Sequence, residues 1–257
     1  KALAYNESLT YVIIQIYDAI LSADKILLDR GSQNLFFEAL DKVSELESDV
    51  PTVWWYVKAR ALYYFERYDE ALSYWNRIIE YDGFDLEDYY DIIPLKIESL
   101  LGLKSYEEAV KNYEKSIKIN PKYAEVYNNL GTALHKLDRF DEAIDIYKKA
   151  ISIKNDFPEA FNNLGNAMFE SNKLRDAIPY FEKAVKIKPS FAMAYLNLGR
   201  TYQNLGNKNK ALEYFNEAIK IQPNYAEAYN NLGLLFFDLR KFDEALSSYN
   251  KAIELKP

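Results

Sequence analysis

The chain has 257 residues, 49% of them apolar, and a formal net charge of −7 at pH 7. This size allows a substantial core, and the lack of cysteine excludes disulfides and thiolate chemistry. Residues 1–123 carry 14 Lys/Arg against 22 Asp/Glu, whereas residues 124–257 carry 18 against 17. Without a basic stripe, we expect no binding to nucleic acid. No apolar run approaches the roughly 18 to 20 residues that span a bilayer, so we expect no membrane insertion.

The N-terminal part carries a weak form of a helical pattern that becomes regular further along the chain. Its predicted segments are 20–51, 52–89 and 90–123. In the first of these, apolar residues at helical spacing favour a degenerate helix: Ala39, Val43 and Leu46. The step from Ala71 to Ala109 is 38 residues, four more than the later period of 34. The extra residues lie around an acidic connection.

That connection is the segment 80–91, EYDGFDLEDYYD, in which six carboxylates are interleaved with four aromatic side chains. Two interpretations fit this composition. The segment is a solvated link held in place by its aromatic side chains, or it is an acidic docking site for a partner. We expect the first, which predicts that neutralising Asp85, Glu87 and Asp88 leaves partner binding unchanged.

From residue 103 onward the sequence repeats every 34 residues, with well-matched units at 124–157, 158–191, 192–225 and 226–257. Each unit has two apolar stretches at helical spacing, separated by a short polar bend and closed by proline or asparagine. Such a helical hairpin has one apolar side that it cannot bury alone. Stacking of neighbouring hairpins buries it, so the sequence predicts an α-solenoid.

One glycine recurs on the packed side of each first helix: Gly131, Gly165, Gly199 and Gly233. Glycine inside a helix costs roughly 1 kcal/mol relative to alanine. Its recurrence therefore predicts a close approach by the partner helix, and we expect the backbone of that helix to leave no space for a Cβ. Gly206, in a turn, is expected to tolerate alanine unless its φ is positive.

The pattern Y-x2-LG-x2-L at 127–134, followed by A-x3-Y-x2-A at 143–150, resembles the tetratricopeptide repeat. The resemblance is specific over 103–257 and weaker upstream, where Lys58-Ala59 replaces Leu-Gly. It implies an all-α fold, a right-handed superhelix of helix–turn–helix repeats that forms a single domain over 1–257. It also implies a role in protein–protein interaction.

An asparagine recurs at a position of the first helix where packing alone does not require one. Asn129 points roughly 150° away from the centre of the packed side of its helix, and so do its equivalents Asn163, Asn197 and Asn231. In the resembled family this side lines the concave groove. The amides can pair with both N–H and C=O of an extended peptide. The predicted peptide-binding residues are Asn129, Asn163, Asn197, Asn231, Thr132, Asn166, Arg200, Lys136 and Asn204.

The row of asparagines resembles the ladder in the repeat arm of O-linked N-acetylglucosamine transferases. The alternative is that asparagine is simply frequent at this repeat position. As exposed amides, they are expected to contribute little to folding. Capture of a C-terminal carboxylate, as in tetratricopeptide co-chaperones, is not expected, because Glu125, Glu159 and Glu227 stand where that clamp needs lysine.

The sequence contains few residues that could support catalysis or metal binding. His135 is the single histidine and has no spaced partner, so it is interpreted as a surface or groove residue. The phosphate-loop, dinucleotide, nucleophile-elbow and zinc-protease motifs are absent from the sequence. We therefore expect no enzyme activity, no cofactor, no metal site and no catalytic residue.

Three functions remain open: an adaptor that binds an extended peptide, which we favour; the non-catalytic recognition arm of a larger enzyme such as a glycosyltransferase; and a self-assembling scaffold. The last helix, 243–255, keeps the interior apolar pattern. We expect its open side to be covered by further chain or by another molecule, with self-association as one form of the latter. The compartment is not indicated; cytoplasm is favoured, with a bacterial periplasm or surface as the alternative.

Overall fold

The computed structural model describes residues 51–81 and 86–256, together with the helical residues Asn34, Phe37, Glu38 and Asp41. The predicted repeat 20–51 and the centre of the acidic segment 80–91 fall almost wholly outside the described residues, and the expectations for them stay predictions. The chain forms two compact units, Lys1–Asn112 and Tyr113–Pro257. Each is described by itself, and the expected single domain over 1–257 stays a prediction.

The described part of the first unit is helical. Its helices are α1 (Pro51–Tyr64), α2 (Tyr68–Ile79) and α3 (Leu86–Gly102), and α4 (Tyr106–Ile119) begins in this unit and ends in the second. The core of this unit includes Leu62 and Trp75, both nearly inaccessible to solvent. A Cβ on Gly102 would lie 2.5 Å from the ring of Tyr68. This contact joins the end of α3 to the first residue of α2.

The second unit contains four successive helical hairpins. Their helices are α5 (Ala124–Lys136) with α6 (Phe140–Ile153), α7 (Pro158–Glu170) with α8 (Leu174–Ile187), α9 (Ala192–Asn204) with α10 (Lys208–Ile221), and α11 (Ala226–Asp238) with α12 (Phe242–Leu255). Every helix of these hairpins is amphipathic, because its alanine, leucine and aromatic residues recur at helical spacing. The described residues contain no β-strand. The fold is an all-α repeat solenoid.

Inside each hairpin the glycine of the first helix meets an aromatic ring of the second. An added Cβ on Gly131 would lie 2.6 Å from Tyr147, and one on Gly165 would lie 2.7 Å from Phe181. The close approach predicted from the sequence is present, but the expected neighbour was wrong. A ring, and not the partner backbone, occupies the space that a side chain would need.

The bend of each hairpin contains one residue in the left-handed region. These residues are Asp138 (φ 57°), Asn172 (φ 62°), Gly206 (φ 78°) and Arg240 (φ 59°). Gly206 has no heavy atom within 4 Å of an added Cβ, so its backbone conformation and not crowding favours glycine there. Because φ is positive at Gly206, we expect Gly206→Ala to reduce stability.

Successive hairpins stack by placing each first helix on the second helix of the hairpin before it. Ala160 of α7, for example, packs against Ala150 of α6 with neighbouring apolar side chains. The first helices also contact each other, α5 with α7, α7 with α9 and α9 with α11. Within the described part of the chain, no pair of successive second helices packs to the same extent. Successive first helices therefore lie closer to one another than successive second helices do.

Candidate peptide-binding surface

Two of the predicted asparagines form hydrogen bonds between repeats. The Nδ2 of Asn163 on α7 donates to Oδ1 of Asn128 on α5, at 3.1 Å. In the same way, Asn197 Nδ2 on α9 donates to Oδ1 of Asn162 on α7, at 2.9 Å. The acceptors are buried, with Asn128 8% and Asn162 3% exposed. At both junctions, the asparagine one position further along the later helix thus donates to the buried side-chain oxygen of an asparagine in the preceding repeat.

The junction between α9 and α11 differs from these two. Leu196 occupies the position of the acceptor and is 1% exposed. Asn231 of α11 therefore finds no side-chain acceptor across the junction, and its Nδ2 donates to the backbone oxygen of Glu227 in its own helix, at 2.8 Å. One substitution in the preceding helix redirects the amide.

The four predicted asparagines consequently differ in exposure. Asn129 is exposed and Asn163 and Asn231 are half-buried, whereas Asn197 is only 6% exposed. The sequence predicted that all four point to solvent, because the direction of a side chain was judged on its own helix. The contact between successive first helices covers part of that side, and Asn197 is the residue it covers most. Whether any of them binds a peptide stays a prediction.

The other predicted residues lie on the same helices but have different environments. Thr132 accepts a hydrogen bond from the hydroxyl of Tyr147 at 3.2 Å, and burial raises the pKa of that phenol to about 12. Asn166 Nδ2 donates to Glu170 Oε1 at 3.3 Å. Lys136 and Asn204 are exposed. Thr132 therefore acts within its hairpin, while Lys136 and Asn204 are accessible to a ligand.

Arg200 is the most distinctive of these residues. Its Nη1 donates to Oδ1 of Asn197 at 3.4 Å, and its guanidinium lies 5.0 Å from the ring centroid of Phe169 on the preceding first helix. The side chain is half-buried, and no carboxylate among the described residues forms an ion pair with it. The equivalent positions carry neutral side chains: Thr132, Asn166 and Leu234. Arg200 thus places one oriented positive charge on this surface.

Two ion pairs at this surface were missed by the sequence analysis. Lys154 Nζ lies 2.8 Å from Glu125 Oε1, and Lys188 Nζ lies 3.1 Å from Glu159 Oε1. The hydrogen bond from Lys154 lowers the pKa of Glu125. A lysine 29 residues after each glutamate was the available signal. The pairs join the two ends of a hairpin, so each of these carboxylates has a lysine partner within its own repeat.

The described residues show no cluster of three or more histidine, cysteine or carboxylate side chains that could hold a metal ion. His135 Nε2 lies 3.4 Å from Glu170 Oε2, and its ring meets that of Phe140 edge-on. Among the described helices, none combines the length and hydropathy needed to cross a bilayer.

Comparison with known proteins bears on the second unit above all. The tetratricopeptide repeat profile matches residues 191–257, and a related TPR repeat profile matches residues 103–138, 133–172 and 165–206. No curated protein matches this sequence. The matched residues run without a gap from 103 to 257, which is more than half of the chain.

Several solved structures are similar to this chain. A crystal structure of MamA is 28% identical, with a TM-score of 0.56, over 62% of this chain and 94% of MamA. YrrB, described as a TPR protein with an unusual peptide-binding site, is 24% identical, with a TM-score of 0.53, over 71% of this chain and 92% of YrrB. A thermophilic TPR protein from Thermus thermophilus, TTC0263, is 24% identical, with a TM-score of 0.55, over 63% of this chain and 88% of that protein.

Proposed function

Because the chain belongs to the tetratricopeptide-repeat family, we propose that it is a protein-interaction module that holds an extended peptide across the first helices α5, α7, α9 and α11. Arrays of this family are typically non-catalytic and mediate protein–protein contacts. The similarity to YrrB, a protein with a peptide-binding site, is in keeping with this role but extends only to the fold. The observation that carries the proposal is that the asparagine side chains are held by hydrogen bonds and still have unused donors or acceptors.

These amides are held in place yet keep unused hydrogen-bonding groups. Asn163 uses one Nδ2 hydrogen on Asn128, and no described residue donates to its Oδ1. Asn129 accepts from Asn128 at 3.3 Å and keeps its own two N–H donors. Asn231 is anchored to its own helix and also keeps Oδ1. An amide whose orientation is already fixed loses little entropy on binding, which favours a peptide backbone as ligand.

The spacing of the first helices suits an extended chain. Packed helices lie roughly 8 to 10 Å apart, and an extended peptide advances about 3.3 Å per residue. Successive first helices therefore meet the peptide at about every third residue. Peptides of roughly nine to twelve residues would span the four helices on this estimate.

At α9 the accessible group is Arg200, because Asn197 is buried. Its guanidinium is oriented by Phe169 and Asn197 and has no carboxylate partner among the described residues. A guanidinium binds carboxylates through paired, charge-assisted hydrogen bonds. We therefore expect the preferred peptides to carry an aspartate or glutamate opposite α9.

The experiment is a selection from a random twelve-residue peptide library on the whole chain, followed by fluorescence anisotropy with the enriched peptides. Asn163→Ala should weaken binding by about 0.5–1.5 kcal/mol, as expected for one hydrogen bond. Arg200→Gln should weaken acidic peptides and leave their amide analogues unchanged. The matched controls Asn216→Ala and Arg175→Gln lie on the second helices α10 and α8 and should have no effect. A library that yields no peptide sensitive to Asn163→Ala and Arg200→Gln would contradict the proposal.

A further inference from the structure

Met193 on α9 is an exception among the apolar side chains of the hairpins. It is 49% exposed, and across residues 124–223, all of which the structure describes, it is the only large apolar side chain that is exposed. The other methionine of the chain, Met168 on α7, is 6% exposed and belongs to the core. Single exposed apolar residues are common on protein surfaces. Met193 is distinguished by its position and by its contacts.

The position of Met193 carries a glutamate in the other three hairpins. These residues are Glu125, Glu159 and Glu227. The first two form ion pairs with a lysine 29 residues later in the same hairpin. In hairpin α9–α10 both members of the pair are replaced, the glutamate by Met193 and the lysine by Gln222. An apolar side chain thus stands where the neighbouring repeats have a carboxylate.

A second departure from the repeat lies on the same helix. Arg200 follows Met193 by seven residues, and its equivalents are the uncharged Thr132, Asn166 and Leu234. Seven residues are close to two helical turns, so Met193 and Arg200 point in nearly the same direction and lie roughly 10 Å apart along α9. Among the first helices α5, α7, α9 and α11, only α9 contains no aspartate or glutamate. The two departures therefore make this helix both apolar and positively charged.

One buried amide orients the side chains at both positions. Asn162 on α7 is 3% exposed, and its Nδ2 donates to Sδ of Met193 at 3.8 Å. Its Oδ1 accepts from Asn197 Nδ2 at 2.9 Å, and Oδ1 of Asn197 in turn accepts from Arg200 Nη1 at 3.4 Å. The thioether and the guanidinium are therefore held by the same chain of hydrogen bonds before a ligand binds. Fixed side chains lose less entropy on binding than mobile ones.

An extended peptide that crosses α9 at Asn197 has these two side chains on opposite sides. Met193 lies four residues before Asn197 and Arg200 three residues after it, which corresponds to roughly 6 Å and 4.5 Å along the helix. Successive side chains of an extended chain point in opposite directions. When one side chain of the peptide reaches Arg200, the side chains directly before and after it therefore point toward Met193.

We infer that Met193 forms an apolar subsite, and that the peptide ligand carries an apolar residue such as leucine directly beside the acidic residue that pairs with Arg200. The inference rests on the proposed function and narrows its ligand from an acidic peptide to one with adjacent acidic and apolar residues. The flexible, polarizable side chain of methionine adapts to apolar partners of different shape. The missing carboxylate at position 193 also leaves nothing on α9 to repel the acidic residue.

The test uses the tightest peptide from the twelve-residue library whose binding weakens with Arg200→Gln. Each neighbour of its acidic residue is replaced in turn by leucine and by serine, and binding to the whole chain is measured by fluorescence anisotropy. We expect leucine to bind about fivefold tighter than serine at one of the two positions. Met193→Leu should keep this ratio, whereas the polar variant Met193→Gln should reduce it to less than about twofold. The matched control Glu159→Gln changes the equivalent position of α7 and should leave the ratio unchanged.

Oxidation by hydrogen peroxide locates the contact, because the peroxide transfers one oxygen atom to an accessible methionine sulfur and leaves as water. Mass spectrometry should show that the bound leucine peptide slows oxidation of Met193 about threefold or more and leaves that of the buried Met168 unchanged. A leucine-to-serine ratio near one or independent of residue 193, or no protection of Met193, overturns the inference while peptides that require Asn163 and Arg200 keep the proposed function intact. A library without such peptides contradicts the proposed function, and the inference fails with it.

Discussion

The junction between hairpins α7–α8 and α9–α10 and the junction that follows it differ in one pair of side chains. In the first, Asn197 donates to the buried Asn162 at 2.9 Å. In the second, Leu196 replaces that acceptor, and Asn231 bonds to its own helix instead. The helices stack in the same order at both junctions. Stacking therefore does not require the amide pair, since a leucine serves as well in the same position.

The difference shows that one recurring position of the repeat can have two uses. Where the preceding helix supplies an asparagine, the amide is partly or wholly committed to the junction. Where it supplies a leucine, the amide remains half-exposed with its oxygen unused. The residue three positions before the glycine in one repeat thus determines whether the Nδ2 of the next asparagine donates to a side chain across the junction or to the backbone of its own helix.

The largest expected loss of stability comes from disrupting the packing inside a hairpin. Its size is the reference for the smaller losses expected at the junctions between hairpins. Gly165→Leu places side-chain atoms where a Cβ would already lie 2.7 Å from the Phe181 ring. Phe181 is fully buried and cannot move away, so we expect a loss of about 3 kcal/mol in the free energy of unfolding. Urea denaturation measures it.

The control for this variant is Gly206→Ala in a bend. It places no atom against a neighbour but forces alanine into a positive φ, at a cost of about 1 kcal/mol. A larger loss for Gly206→Ala than for Gly165→Leu would contradict the assignment of the packed side.

The second prediction compares the two junctions directly through the same substitution. Asn197→Ala leaves the carbonyl of Asn162, which is 3% exposed, without its donor, and should cost about 1–3 kcal/mol. Asn231→Ala removes only a bond to its own helix from a half-exposed side chain. Alanine also favours helix, so this variant should change stability by less than about 0.5 kcal/mol. Equal losses in thermal or urea unfolding would show that the two amides have the same role.

This prediction replaces one made from the sequence. The period of 34 residues, with its glycine, alanine and aromatic positions, was sufficient to predict the hairpins and their stacking, because these features depend on spacing along one helix. The burial of Asn197 depends on the distance between neighbouring first helices, which spacing along one helix does not contain. For the same reason the sequence indicated a close approach at Gly131 but not that the neighbour is the ring of Tyr147.

The third prediction isolates the amide pair from the packing around it. In a double-mutant cycle of Asn162→Ala and Asn197→Ala, we expect a coupling energy of about 1 kcal/mol, because each variant alone leaves the other amide unsatisfied. The matched cycle uses Leu196→Ala and Asn231→Ala. Leu196→Ala alone should also destabilise the fold, through the cavity it leaves. The coupling between Leu196 and Asn231 should nevertheless be near zero, and a coupling as large as that of the asparagine pair would refute the distinction between the junctions.

The smallest expected effect concerns the ion pairs that join the ends of the hairpins. Glu125 and Glu159 pair with Lys154 and Lys188, whereas the equivalent pair in hairpin α9–α10 is Met193 and Gln222. The hydrogen bond from Lys154 holds the pKa of Glu125 below its ordinary value of 4.5.

A carboxyl group whose pKa is lower in the folded state stabilises that state above the unfolded pKa. The contribution is lost as the pH falls through the folded value. Thermal midpoints of the wild type and Glu125→Gln should therefore differ slightly at pH 7 and converge as the pH drops below about 4. Because the pair is exposed, the difference at about pH 7 should also shrink in roughly 1 M salt. Met193→Gln is the matched control, since it changes the equivalent position without an ion pair, and its effect should not depend on pH or salt. A difference for Glu125→Gln that does not shrink at all as the pH falls from about 4.5 to about 2 would show that the side chain stabilises the hairpin by packing and not by charge.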